Sequence, residues 1–141
     1  MPNPIAAPPG FMKGAVVDRA NRWTAQQTFA AEAWENIPAA YTTIDWDVNK
    51  NQVRYISINA NTTLRWPLGL RVGGIYILFV KNVSTYTLSY GTQASQSGQG
   101  AGTWKWAAGT TPTLTATAGK IDVFTIGYDG TDLIGVVQQN F

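Results

Sequence analysis

The sequence predicts an all-β protein: an antiparallel β-sandwich of jelly-roll-like form, preceded by an extended N-terminal arm and a short helical or irregular segment. From about Tyr41 onward, short segments rich in Thr, Val, Ile and aromatic residues alternate with Gly, Asn, Asp and Pro. The 141 residues have room for one such domain and an appendage, but not for two domains. We therefore expect an N-terminal arm and anchoring segment at 1–40 and a β-sandwich domain at 41–141.

The N-terminal region has the composition of a docking segment. Four prolines within the first 14 residues predict an extended arm, because proline fixes φ and has no backbone donor. Residues 15–37 are rich in Ala and Gln, and a helix there would place Trp23, Gln27, Ala30 and Trp34 on one face, with Pro38 at its end. The predicted partner-anchoring residues are Pro8, Pro9, Phe11, Trp23, Phe29 and Trp34.

The strands of the domain are predicted from apolar runs bounded by turn residues. They are Thr42–Asp47, Gln52–Asn59, Thr62–Leu64, Ile75–Lys81, Thr85–Tyr90, Thr113–Thr115, Lys120–Tyr128 and Leu133–Gln138. The last two form the clearest hairpin, since Asp129-Gly130 is the residue pair that a type I′ turn prefers.

Two of these strands are apolar on both faces. Ile75–Lys81 begins with six apolar residues in a row, and Lys120–Tyr128 has bulky groups on both sides. Charged residues make up only 13% of the chain, against about 25% in ordinary soluble domains. One face of such a sheet packs on the partner sheet, so we expect the other to contact the N-terminal segment or a neighbouring subunit.

Composition narrows the function. The chain has no Cys and no His, so it lacks thiolate chemistry and the usual general base near neutral pH, and we expect neither an enzyme nor a cofactor. Its net charge of +2 comes from scattered residues, which disfavours nucleic-acid binding. The N-terminus lacks the pattern of a secretory signal, and no apolar stretch reaches about 20 residues, so we expect no membrane span.

Two segments could carry chemistry. Asp45 and Asp47 could bind Ca²⁺ together with Asn49 and Asn51, or act as a glycosidase pair, but the EF-hand glycine and closing glutamate are missing. Solvated carboxylates beside a turn are the better interpretation. The loop Gly91–Gly102 could cradle a phosphate, but it lacks the Lys-Ser/Thr ending of a P-loop, so we expect an exposed, mobile loop.

Aromatic residues beside that loop form a candidate contact site. Trp104 and Trp106 flank Lys105, and Tyr90 immediately precedes the loop. These three aromatic side chains could stack on sugar rings or anchor a protein interface. Alternatively, they close one end of the core.

Most of the chain also resembles a known family. The upstream segment NRWTAQQTF resembles one that precedes the C-terminal β domain of tailed-bacteriophage virion proteins, and the domain itself resembles that β domain. The matching positions are Asp45-Trp46-Asp47, Asn61-Thr62-Thr63-Leu64, Pro67, Gly74, Tyr76, Leu78, Trp106, Gly109, Pro112, Leu114, Asp122-Val123-Phe124, Asp129-Gly130 and Asn140-Phe141. The chain departs from the family pattern in the order of Phe124 and Thr125 and in a longer loop before Trp104.

The resemblance implies a role in a virion. Family members resemble tail-fibre, spike and capsid-surface proteins, which implies a homotrimer and a scaffold rather than an active site. The short chain favours a capsid decoration, head-fibre or cement protein, made in the host cytoplasm and bound to the major capsid protein or to a tail or baseplate protein. The alternative is a tail-fibre or spike module that recognises a host surface glycan.

Overall fold

The computed structural model describes residues 35–94 and 100–141, which belong to one compact unit spanning Glu32–Phe141. Within those residues the chain is strand-rich and includes a mixed sheet, in agreement with the predicted all-β class. The strands are β1 Glu35–Ile37, β2 Thr43–Ile44, β3 Val53–Ile58, β4 Thr62–Leu64, β5 Ile75–Asn82, β6 Leu88–Tyr90, β7 Trp104–Trp106, β8 Ile121–Tyr128 and β9 Leu133–Gln138, with a single 3-10 turn at Ala107–Gly109. No helix in these two ranges is long and apolar enough to cross a membrane.

The first six strands alternate between two sheets. Strands β1, β3 and β5 are parallel neighbours in a six-stranded sheet, and β2, β4 and β6 are parallel neighbours in a three-stranded sheet. The chain therefore passes from one sheet to the other and back, and each coil adds one strand to both. Residues of successive coils stack in register, as in the row Ile44, Leu64 and Tyr90.

The last three strands complete the larger sheet, whose order is β1-β3-β5-β8-β9-β7. Strand β8 is antiparallel to both β5 and β9, whereas β7 is parallel to β9 at the edge. The chain end is tied to β8, because the backbones of Ile121 and Phe141 exchange hydrogen bonds of 3.1 and 3.2 Å.

The predicted antiparallel pairing is confirmed only between β5, β8 and β9, and no jelly roll is shown among the described residues. The antiparallel prediction is wrong for the pairs formed among the first six strands, β1–β3, β3–β5, β2–β4 and β4–β6, and for β7–β9, all of which are parallel. Parallel strands need a crossover, and here each crossover is a strand of the other sheet rather than a helix. A local apolar pattern reports which residues are buried, but not which sheet a strand joins, so it could not predict this coil.

Three segments differ from their predicted conformation. Residues 35–37 form β1, although the sequence predicted helix over 15–37. The rest of that predicted helix lies outside the described residues. Strand β7 was not predicted, and Thr113–Thr115 is not a strand. The Asp122 carboxylate accepts hydrogen bonds from the Thr115 backbone N–H (2.6 Å) and hydroxyl (2.7 Å), so a side chain takes the place of a ladder partner.

The β8–β9 hairpin is confirmed, but its turn is not the predicted type I′. Four residues, 129–132, connect the strands, and Gly130 has a φ of +107° whereas Asp129 is not in the left-handed region. The Asp129 carboxylate instead accepts hydrogen bonds from the backbone N–H groups of Thr131 (2.8 Å) and Asp132 (2.7 Å). This side-chain turn makes the second left-handed residue unnecessary.

One hydrophobic core receives side chains from both sheets. Its fully buried members include Ile56, Ile58, Leu78, Phe124 and Ile126 from the larger sheet and Leu64 from the smaller one. Trp46, between β2 and β3, is also buried and donates its indole N–H to the Asn51 carbonyl (2.7 Å).

Candidate functional site

The outer side of the six-stranded sheet carries an apolar surface. Alternate residues of β5, from Tyr76 to Asn82, point into the core, so the residues between them face outward. The register then aligns outward residues of β5, β8 and β9 in rows. We define the apolar outer face by six of them: Ile75, Ile77, Phe79, Val123, Ile134 and Val136.

This face is accessible and uncharged at its centre. Ile75, Ile134 and Val136 are 52%, 51% and 49% exposed, and the other three members are half-buried. The middle row consists of Ile77, Thr125 and Val136, with Thr125 exposed between two apolar neighbours. Among the outward residues of β5 and β8, Lys81 is the charged one, and it lies at the end of the face beside Ile121.

Aromatic side chains extend the face across β3. Tyr55 and Phe79 are register neighbours on adjacent strands, and their rings stack at 4.4 Å with an angle of 13° between them. Val53 lies beside Ile77 in the next row. Outward residues of a solvated antiparallel sheet are normally polar. This face has instead the composition of an interface core.

The three aromatic residues singled out from the sequence lie together. Trp104 and Trp106 stand on the inward side of β7 with their rings stacked at 5.3 Å and 7°. The Tyr90 ring lies 5.4 Å from Trp104 and 4.7 Å from Trp106. Trp106 packs over the backbone of Gly135, where a Cβ atom would overlap its ring. Glycine is therefore required at this position on β9.

These rings are half-buried, and the polar atoms of Trp104 and Tyr90 are hydrogen bonded. The Trp104 indole N–H donates to the Gly91 carbonyl (2.8 Å), and the Tyr90 hydroxyl donates to the Pro112 carbonyl (3.4 Å). Burial raises the pKa of the Tyr90 phenol well above its ordinary value of 10.0, and the charge of Asp122 raises it further. The cluster closes one end of the core, and glycan contact stays a prediction.

The acidic segment that suggested a metal or a hydrolase holds ion pairs. Asp45 pairs with Arg65 at 3.2 Å, and Lys50 lies 3.7 Å from Asp47. The Asp47 carboxylate also accepts a hydrogen bond from the Asn49 N–H, which closes the turn. Among the described residues, no three His, Cys, Asp or Glu side chains are grouped as metal ligands. Calcium binding and glycoside hydrolysis gain no support from these contacts.

A cleft of about 400 Å³ opens beside this turn. Arg54 lines it and connects two segments: its guanidinium donates to the Asp45 carbonyl (2.5 Å) and, through Nε and Nη2, to the Glu35 carboxylate at 3.0 and 2.7 Å. Arg54 thereby joins the edge strand β1 to the segment between β2 and β3. The charges that line the cleft are largely paired with each other.

A fourth ion pair among the described residues lies at the edge of the six-stranded sheet. Lys105 Nζ is 2.6 Å from the Asp132 carboxylate, which also accepts hydrogen bonds from the Thr103 backbone N–H (2.9 Å) and hydroxyl (3.0 Å). The pKa of Asp132 is lowered, most strongly by the hydrogen bond from Lys105 and next by the hydrogen bond from the Thr103 backbone N–H. This pair fastens β7 to the beginning of β9.

The predicted anchoring residues Pro8, Pro9, Phe11, Trp23, Phe29 and Trp34 lie outside the described residues. Sequence reasoning also missed the exposed side chains of β9 and the buried Trp66, whose ring lies 6.0 Å from Trp104. The aliphatic residues on both faces of LIGVVQ were a usable signal for the exposed side chains of β9, whereas nothing local marked Trp66 as a neighbour of Trp104.

The described residues thus form a strand-rich fold with an apolar outer face, an aromatic cluster at one end of the core and ion-paired carboxylates. No protein-family model matches the chain, and no curated protein matches it.

Proposed function

We propose that this protein is a non-enzymatic structural component of a tailed-bacteriophage virion, a trimeric capsid decoration, head-fibre or cement protein attached through its N-terminal region. The observation that carries this proposal is the apolar outer face of the six-stranded sheet. With only 13% charged residues in the chain, this face has little charge to keep it in solution. Burial in a larger assembly removes that apolar surface from water.

The construction of the domain suits a scaffold. We propose that its two sheets are the layers of a β-sandwich, because side chains of both sheets enter one core. Its buried polar groups act as ties: Asn82 makes four hydrogen bonds, and every buried side-chain nitrogen or oxygen of the described residues has a partner. Satisfied buried polar groups favour a rigid domain with one well-defined shape.

The virion itself is proposed from the family resemblance. The N-terminal residues would bind the major capsid protein or a tail or baseplate protein, with aromatic side chains such as Trp23 and Trp34 as anchors. In a trimer, three such contacts act together, and the second and third form at a high effective concentration. A modest affinity for each arm would then suffice for stable attachment.

Particle incorporation tests this proposal. Virions of the phage that encodes the chain are purified and analysed by mass spectrometry, after complementation with either the full chain or residues 35–141. The shorter chain retains β1 and should fold, but we expect it to be lost from particles. A full-length Trp23→Ala/Trp34→Ala variant provides a matched control for chain length. Absence of the full chain from virions would refute the proposed function, and normal incorporation of residues 35–141 would refute the anchor.

A receptor-binding module is the second candidate. It is favoured by the position of the aromatic cluster, since Trp104 is hydrogen bonded to Gly91 at the start of the Gly91–Gly102 loop. Glycan-array binding by the full chain that is lost in Trp104→Ala or Trp106→Ala, with an unchanged circular dichroism spectrum and oligomeric state, would select it. No binding on a broad array would remove it.

A further inference from the structure

We propose that the apolar outer face packs against the same face of the other copies of this chain around a symmetry axis, so that the six-stranded sheets meet at the centre of a homo-oligomer. This inference rests on the proposed function, which requires an assembly, and it names the partner that covers the face. The size of the face, its lack of charge and its alternation of large and small side chains favour this partner.

The size of the face matches a specific contact. Half-exposed Ile and Val side chains offer on the order of 80 Å² each, and with their half-buried neighbours the face provides on the order of 500 Å² per copy. Two copies would bury about 1,000 Å² in total, which is near the lower limit for a specific interface. The face is also at the upper end of the exposed apolar patches found on monomers.

The charge pattern favours another copy over a charged partner. The row Ile77, Thr125 and Val136 contains neither an acid nor a base, so a charged side chain placed against it would lose its water without gaining a counter-ion. An identical face meets that condition. Lys81 lies at one end and Lys105, beside Ile134, lies at the sheet edge, where both ammonium groups can stay in water.

The face has small side chains between large ones, so side chains of two copies can interdigitate. In the register, Gly127 lies between Ile75 and Ile134, so the row has a low point flanked by two exposed isoleucines. The next row has Thr125 between Ile77 and Val136, which is again a smaller side chain between larger ones. A facing copy can place a large side chain over each low point, as in packed sheets about 10 Å apart.

The test measures the mass of the full chain by size-exclusion chromatography with light scattering over a range of concentrations. Thr125→Glu and Val136→Glu place a carboxylate in the middle row at exposed positions, so the fold should survive, as checked by circular dichroism. Each should weaken self-association at least a hundredfold, because the added charge would be buried without a partner. Tyr41→Glu is the control: it adds the same charge at an exposed position between β1 and β2 and should leave the mass unchanged.

Each outcome decides the inference. A dimer or trimer that Thr125→Glu and Val136→Glu convert to monomer, while Tyr41→Glu does not, supports it. A full chain that is monomeric at all concentrations overturns it, whether the face stays open or residues 1–34 cover it. An oligomer that ignores both face variants also overturns it. Incorporation into virions is scored separately, so a monomeric chain that still enters particles would refute this inference and leave the proposed function standing.

Discussion

Replacement of Asn82 by alanine is the sharpest test of how the coils are held together. Asn82 ends β5 and is 1% exposed. Its amide nitrogen donates to the carbonyls of Tyr86 (2.9 Å) and Thr115 (3.3 Å), and its oxygen accepts from the N–H groups of Ser84 and Tyr86, both at 3.3 Å. One side chain therefore satisfies four backbone groups in the connections that follow β5 and precede β8.

The expected loss in the free energy of unfolding follows from these four hydrogen bonds. Each hydrogen bond contributes about 1 kcal/mol net, and a buried group left without a partner costs about 1–3 kcal/mol. Some of the four groups can reach water after the substitution, so we expect Asn82→Ala to lower the free energy of unfolding by about 3 kcal/mol. Exposed Asn61 is the matched control, because its side chain accepts a single hydrogen bond, from the Thr87 N–H at 3.0 Å. Asn61→Ala should cost about 1 kcal/mol or less.

Urea unfolding followed by tryptophan fluorescence measures both variants at one protein concentration, since association shifts apparent stability. With a slope of about 2 kcal/mol per molar urea, Asn82→Ala should lower the midpoint by about 1.5 M. Equal urea midpoints for Asn82→Ala and Asn61→Ala would refute the claim that the Asn82 side chain stabilises these connections.

Three further predictions concern the aromatic end, the high-pH range and the low-pH range. Gly135→Ala should displace Trp106 and abolish the near-ultraviolet circular dichroism of the stacked Trp104–Trp106 pair. Gly127→Ala is the control and should leave this signal unchanged, because an added Cβ there comes no closer than 3.4 Å to another atom. Equal spectra for the two variants would refute the packing of Trp106 on Gly135. Because the pKa of Tyr90 is raised in the folded chain, the unfolded chain loses the phenol proton at a lower pH than the folded chain. The free energy of unfolding should therefore fall as pH rises above about 10, and it should fall less steeply in Tyr90→Phe. Identical slopes of the free energy of unfolding against pH, measured by denaturant titrations, would contradict this. The pKa of Asp132 is lowered from 3.8, so the contribution of its carboxylate to the free energy of unfolding is present above pH 3.8 and is lost as pH falls below that value. Asp132→Asn should therefore make the free energy of unfolding depend less steeply on pH in this acid range. An unchanged dependence would show that the Lys105–Asp132 pair contributes nothing to stability.

The parts of the fold that the sequence predicted are those with a strong local signal. The six consecutive apolar residues from Ile75 and the segment before Asp129-Gly130 identified β5 and β8, and the two-faced apolar character of β5 is present in the structure. The three-residue strands β1 and β7 have no such signal, because ENI contains a single apolar residue and WKW is an isolated segment of three residues. They are strands only because long neighbours, β3 and β9, offer them a ladder.

Pairing between distant segments limited the site prediction in the same way. Tyr90, Trp104 and Trp106 were grouped correctly because all three lie next to one loop. The role of Asp122 as a shared hydrogen-bond acceptor could not be predicted, because its partners Thr115 and Asn140 come from separate segments. The exposed row formed by Ile77, Thr125 and Val136 exists only in the register of three strands, so it could be recognised only once those strands were paired.

Thiol labelling at the centre of the outer face tests the central claim most directly. The chain has no natural cysteine, so Thr125→Cys introduces a single thiol in the middle row, and Tyr41→Cys provides an exposed reference thiol. We predict that a maleimide reacts slowly with Thr125→Cys at high protein concentration and rapidly after dilution, while Tyr41→Cys reacts rapidly throughout. A middle-row thiol that reacts as fast as the reference thiol at every concentration would contradict a buried, shared face.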